Sequence, residues 1–192
     1  MGNNQNKSDE KNRELQGRER RRTCKRRGEA VEAEFLARAS SLGFRVSKPW
    51  GDSDRYDFVV EGEQGFWRVQ VKLTTCRRGA AYFLSLGMGG WSYTGEEIDF
   101  LVVYVVPEDL WYILPIEMVA SLKGLGLRPH TRRSKFDRYR EAWCLLESSR
   151  KARGWKDVPV LCRGKRLGVS CAVCPTPPKP STPRPPPPRK SE

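Results

Sequence analysis

Glu32, Asp57, Gln70 and Lys72 are side chains of the kinds that together can hold a hard divalent cation and act on a phosphate ester. Mg²⁺ takes oxygen ligands and keeps several waters, so one or two carboxylates plus substrate phosphate suffice to bind it. Such an ion polarises a phosphate and lowers the pKa of a water. A nearby ammonium, here Lys72, positions that water and offsets charge developing on the phosphorus oxygens. Gln70 offers a carbonyl oxygen but cannot act as a base. It leaves the set one negative charge poorer than a Glu would, so weaker metal binding is expected. Mg²⁺ is the expected cofactor, with Mn²⁺ as a substitute.

These residues need elements that bring them together. GEAVEAEFLARASSLGFRV, from Gly28, reads as an amphipathic helix with Val31, Phe35, Leu36, Ala39 and Leu42 at three- and four-residue steps and Gly43 as its stop. Glu32 falls within that stripe, where a carboxylate is costly unless a cation or donors meet it. YDFVVE reads as a strand with Tyr56, Phe58 and Val60 on one face and Asp57 and Val59 on the other. After the turn EGEQG, FWRVQVKL points Trp67, Val69, Val71 and Leu73 one way and Arg68, Gln70 and Lys72 the other. So short a link implies an antiparallel hairpin, with Asp57 near Gln70 and Lys72. A buried Glu32–Lys72 ion pair would account for those two residues without catalysis, because buried charges are normally paired.

Residues 28–73 resemble the PD-(D/E)XK nuclease superfamily: a helix with Glu, a strand with Asp, then a strand with (D/E)-x-K. The string GEAVEAEFLARASSLGFRVSKPWGDSDRYDFVVE…WRVQVKLT is closer still to the PD-(D/E)XK endonucleases associated with group I introns. IDFLVVYVVPEDLWYILP and FDRYREAWCLL extend the likeness to about residue 148. By motif, Glu32 matches the helix carboxylate, Asp57 the Asp of the PD element with Tyr56 in place of Pro, and Lys72 the Lys. Gln70 stands where Asp or Glu is usual, which looks like a feature of the intron-associated branch. The resemblance implies a restriction-endonuclease-like α/β fold and metal-dependent hydrolysis of DNA, with Glu32, Asp57 and Gln70 at the metal. Archaeal Holliday-junction resolvases share the Glu…Asp…E-x-K frame, so the frame leaves the DNA structure open. A non-cleaving DNA-binding protein that retains the fold is the rival reading, and Gln70 is the feature that favours it.

Charge is unevenly spread. Residues 1–28 hold ten Lys/Arg against four Asp/Glu, residues 150–192 eleven against two, and residues 29–149 fifteen against seventeen. The net +13 therefore lies at the two ends, and the middle is nearly neutral. RERRRTCKRR is the segment expected to attract DNA phosphates. Within the middle, RPHTRRSKFDRYR, with Arg132, Arg133 and Lys135, is the candidate phosphate-facing patch, and Arg68, Arg77 and Arg78 are second candidates. No run of about 18 apolar residues suggests a membrane span. The polar start lacks a signal core, so a cytoplasmic, non-secreted protein is expected. Six scattered cysteines fit reduced thiols. Cys171 and Cys174 form a lone C-x-x-C; with Cys162 and His130 they make only a weak zinc set.

The expected organisation is a disordered or transiently helical basic tail (1–24), one domain (25–149) and a basic Pro-rich tail (150–192). Within the domain, AAYFLSLG reads as a third strand and GMGGWSYTGEE as a Gly-rich loop near the site. IDFLVVYVV reads as a buried central strand and LWYILP as another. A helix is expected from Pro115 to Ala120 and a last one from Lys135 to Ser149, with Phe136, Tyr139, Trp143 and Leu146 at helical spacing. The order α-β-β-β-β-β-α-α predicts a mixed sheet flanked by helices. Trp91 and Tyr93 are candidates for base stacking, and His130 for a general base. Cutting both strands with one site per chain favours a dimer or tetramer.

Overall fold

Val31, Phe35 and Ala39 are spaced four apart, so a helix lines them up on one face, and all three are buried. Phe35 carries most of that contact, its ring centroid lying 5.2 Å from Phe58, 6.1 Å from Trp111 and 5.9 Å from Trp143. Leu36, expected in the same stripe, is instead exposed. The helix ends at a glycine stop: Gly43 has φ +90. Gly43 N–H donates to Ser40 O and Phe44 N–H to Ala39 O, at 3.0 and 3.1 Å, the paired bonds of a Schellman ending.

The computed structural model describes residues 3–147 except 52, 63–64 and 87–91, with helix side chains described from Gln16 on, apart from Arg20. Trp91, part of the Gly-rich loop, the C-x-x-C and the Pro-rich tail lie outside the described residues. One helix, α1 (Asn3–Ser41), precedes β1 (Arg45–Ser47), β2 (Phe58–Gly62), β3 (Gly65–Thr74), β4 (Arg77–Arg78), β5 (Ala81–Ser85), β6 (Phe100–Val105), β7 (Leu110–Pro115) and β8 (Gly124–Leu127). The helix thus begins 25 residues before the Gly28 start expected from sequence. The Arg, Lys, Glu and Gln residues of its first half are good helix formers, and two interior glycines, Gly17 and Gly28, each costing about 1 kcal/mol, do not stop it.

The main sheet has the order β1-β2-β3-β6-β7. β2 and β3 form the expected antiparallel hairpin, with Phe58 opposite Val69 and Val60 opposite Trp67. β6 lies parallel to β3 and antiparallel to β7. Phe100 to Val103 and Val105 are fully buried, as their unbroken apolar run implied for a central strand. AAYFLS is a strand, but β5 leaves the main sheet for a separate one of order β4-β5-β8. Thr74 fixes the divergence by donating its hydroxyl to Phe83 O at 2.6 Å.

Two expected helices are corrected. Pro115 leads into a single 3-10 turn, Ile116–Met118, because Ile116 N–H is drawn to Asp99 O at 3.0 Å. The segment expected as the last helix holds two short 3-10 turns, Asp137–Tyr139 and Trp143–Leu146. Between them Arg140 is extended and Glu141 is left-handed, with φ 50. Glu141 clasps β7 there: its N–H donates to Trp111 O at 2.8 Å, and its carboxylate accepts from Trp111 N–H and Trp143 Nε1 at 2.7 and 2.8 Å. That clasp, absent from any local pattern, outweighs the helical spacing. Cys24 and Cys76 are free thiols. No helix among the described residues is long and apolar enough to cross a membrane.

Candidate functional site

Strands β2 and β3 part company at Asp57, and that parting makes the site. Asp57 N–H still donates to Val69 O at 2.9 Å. One step further along β3, Val71 N–H has no backbone partner on this side. The Asp57 carboxylate replaces the missing strand, its Oδ2 accepting from Val71 N–H at 2.7 Å and from Gln70 Nε2 at 2.5 Å. The paired register ends at Phe58–Val69, and beyond it the Asp57 side chain lies against Gln70 and Val71. Strand alternation then puts Lys72 on the same face, away from buried Val69 and Val71.

Glu32 reaches this place from α1, one turn before Phe35. It does not pair with Lys72, the alternative left open by the sequence. Its Oε2 sits 2.7 Å from Lys48 Nζ, just past β1. Glu32, Asp57, Lys48, Lys25 and Asp54 line one open cleft of about 360 Å³ between α1 and the loop leading into β2. Lys72 Nζ lies 5.4 Å from the centre of the Tyr93 ring, and the Arg55 guanidinium lies 4.9 Å from the same ring. Arg55 in turn pairs with Glu97 at 3.4 Å. Tyr93, a candidate for base stacking, packs beside the lysine.

Electrostatically the spot carries excess negative charge. Burial, opposed by the Val71 hydrogen bond, and the negative charge of Glu32 raise the Asp57 carboxyl from 3.8 to about 6, against smaller opposing effects of Lys72 and Lys48. A second, independent sign lies in Gln70. Its Nε2 is within reach of two oxygens at once, Asp57 Oδ2 and, at 3.3 Å, Val71 O. A positive hydrogen pair held between a carboxylate and a backbone carbonyl marks a place that suits a cation. Turning the amide over would bring Oε1 to the same place. Among the described residues no three His, Cys, Asp or Glu side chains converge. Four carboxylates line the cleft, Glu29, Glu32, Asp54 and Asp57; beyond Glu32 and Asp57, amide and backbone oxygens and water are the further ligands the site offers.

The other candidates are scattered. Arg68 is held inward: its backbone N–H and Nε donate to Asp99 Oδ2 at 2.8 and 3.1 Å, and its remaining nitrogens reach Asp99 Oδ1, Gly95 O and Glu96 O. It braces β3 against the loop before β6. Arg77 and Arg78 are exposed on β4, over the rings of Tyr82 and Phe83 at 5.8 and 5.7 Å. Arg132, Arg133 and Lys135 are exposed in the loop after β8, outside the cleft. His130 Nε2 is 2.9 Å from Glu108 Oε2, a carboxylate that also accepts from Tyr82 at 2.7 Å. The imidazole therefore ties the two sheets together outside the cleft.

Sequence reasoning missed Lys48 and Lys25. Lys48 is delivered by strand pairing, which leaves no local pattern: β1 pairs antiparallel with β2, Ser47 opposite Val59, so the next residue falls beside the start of β2 and hence near Asp57. Lys25 was hidden by the helix start placed at Gly28.

A family model described as PD-(D/E)XK endonuclease matches residues 22–145. The fold is similar to that of a bacterial homing endonuclease, I-Ssp6803I, at 28% identity over 64% of this chain and 91% of that one, with a TM-score of 0.56. A weaker likeness, at 18% identity and a TM-score of 0.36 over 53% of this chain and 84% of that one, is to Hjc, a Holliday junction resolvase of Archaeoglobus fulgidus. No curated protein sequence matches the chain.

Proposed function

The chain belongs to the PD-(D/E)XK endonuclease family, and on that premise we propose that it is a Mg²⁺-dependent endonuclease hydrolysing phosphodiester bonds of DNA at the Asp57 end of the cleft between α1 and the loop leading into β2, where Gln70 and Lys72 of β3 adjoin it. The observation that carries this reading is Asp57, a half-buried carboxylate fixed by Val71 N–H in the cleft that also holds Glu32, its carboxyl raised to about 6 chiefly by burial and less by the Glu32 charge. The donor set suits a hard cation: carboxylates of Glu32 and Asp57, the Gln70 side-chain oxygen and the Val71 carbonyl. When bound, Mg²⁺ supplies positive charge to the scissile phosphate and acidifies a water.

The remaining roles belong to the chain. Asp57, fixed by Val71 N–H, holds its carboxylate rigid at the mouth of the strand gap. Lys72, propped against Tyr93, orients the attacking water and balances the negative charge that grows on the phosphate oxygens. The water oxygen bonds to phosphorus, one bridging P–O bond breaks, and the departing oxygen takes up a proton. Exposed cations of the first helix, Arg18, Arg21, Arg22, Arg26 and Arg27 with Lys25 at the cleft, provide a phosphate track leading to Glu32. The comparison with a homing endonuclease supports the same reading.

A non-cleaving DNA-binding protein has two observations in its favour, Gln70 and the Lys48–Glu32 pair, which already neutralises the helix acid. Plasmid nicking with Mg²⁺ or Mn²⁺ against EDTA separates the two, with a four-way junction offered beside linear duplex. Expected: nicking that needs the metal, is lost in Lys72→Ala and Asp57→Ala, and leaves DNA retention on a column intact. Asp57→Ala that cuts as well as wild type shows the site to be misplaced.

A further inference from the structure

Trp50 is fully exposed, at 101% of its reference area, while Pro49 and Gly51 on either side of it line the cleft that holds Glu32 and Asp57. Large aromatics are rarely left so bare on a protein surface. The indole is also not on a slack loop. Pro49 fixes its own backbone, Lys48 is tied to Glu32 at 2.7 Å, and Gly51 turns the chain with φ +84. The Pro49–Gly51 step turns the chain so that the ring stands out at the rim of the cleft.

The position of the cleft says what meets that ring. Glu32 and Asp57 lie inside an open cleft with Pro49 and Gly51 in its wall, so a phosphate brought to the two acids carries its flanking base past Trp50. The lining sets Lys25 and Lys48 among four carboxylates, and the helix that carries Lys25 also carries exposed Arg26 and Arg27, cations suited to flanking phosphates. Resting on the nuclease reading above, we propose that Trp50 is a nucleobase platform: it stacks on, or wedges beside, the base next to the scissile phosphate and so sets where along the strand the cut falls. Every base has a π-face, so this contact fixes position without reading sequence.

The test uses intrinsic tryptophan emission of the full chain, wild type against Trp50→Phe, so that the difference isolates Trp50. The probes are a mixed-sequence DNA duplex in EDTA and heparin, which offers negative charge without bases. DNA is expected to quench the Trp50 component and shield it from acrylamide, and heparin is expected to do neither. In Mg²⁺, Trp50→Ala should lose roughly ten- to hundredfold in kcat/KM for nicking, and Trp50→Phe should recover most of it. Equal effects of heparin and DNA, or unaltered nicking and binding by Trp50→Ala, overturn the platform while leaving the nuclease intact. So does shielding of Trp50 in the free protein that grows with protein concentration, which would mean that a second copy covers it. Wild type that binds no DNA at all overturns both readings together.

Discussion

Replacing Asp57 with Asn should stabilise the metal-free protein while abolishing its activity. The carboxyl titrates near 6 in the folded chain against 3.8 in the reference state. Keeping it ionised in its half-buried place costs at most about 3 kcal/mol, and less once solvent screening is counted. Because the folded pKa is the higher one, the penalty runs opposite to that of a salt-bridged Asp. Below pH 3.8 the group is protonated folded or unfolded and nothing is lost. Between 3.8 and 6 the unfolded chain releases its proton first, and stability falls; above 6 the whole penalty stands. Asn keeps the shape: Oδ1 can accept from Val71 N–H, and the Gln70 amide can turn to accept from Nδ2. For a chain of this size a ceiling of about 3 kcal/mol corresponds to a rise in Tm of roughly 6–12 °C. Melts followed by circular dichroism in EDTA should show that gain at pH 7.5 and almost none at pH 4. Mg²⁺ should raise the Tm of wild type and not of Asp57→Asn. An Asn variant that melts below wild type at pH 7.5, or gains equally at both pH values, refutes the reasoning.

Gln70→Glu sets a second carboxylate opposite Asp57. It should lower the Mg²⁺ concentration for half-maximal nicking several-fold while reducing the melting temperature in EDTA; a titration with no shift contradicts the place given to Gln70. Lys48→Met removes the cation that Glu32 holds. The Lys48 side chain is 59% exposed, so the pair is worth about 0–1 kcal/mol and the melt should hardly move. Half-maximal Mg²⁺ should fall, because an ammonium no longer competes for Glu32.

Why the core of the site was readable is clear from β3. Trp67, Val69 and Val71 alternate with Arg68, Gln70 and Lys72, and a period of two is a local property that tertiary packing merely completes. The turn after Gly62 fixes the hairpin, so the approach of Asp57 to Gln70 was legible too. The rest depended on contacts between distant segments. Nothing near Arg68 announces that Asp99, 31 residues away, will take its guanidinium. Phe136, Tyr139, Trp143 and Leu146 keep helical spacing, yet Glu141 spends its backbone on β7, and 3-10 turns bury the same aromatics at nearly the same steps. Lys48 was invisible because strand pairing, not periodicity, delivers it to Glu32. The exposure of Trp50 ran against its type: the indole of an apolar-looking K-P-W-G step would ordinarily be assigned to the core.

Locating Mn²⁺ by anomalous scattering in crystals of the wild-type chain probes the site most directly. The expected result is one strong peak bounded by the Asp57 and Glu32 carboxylates, the Gln70 side-chain oxygen and the Val71 carbonyl, absent from crystals of Asp57→Asn. A peak elsewhere on the chain, or one that survives the Asn substitution, would contradict the assignment.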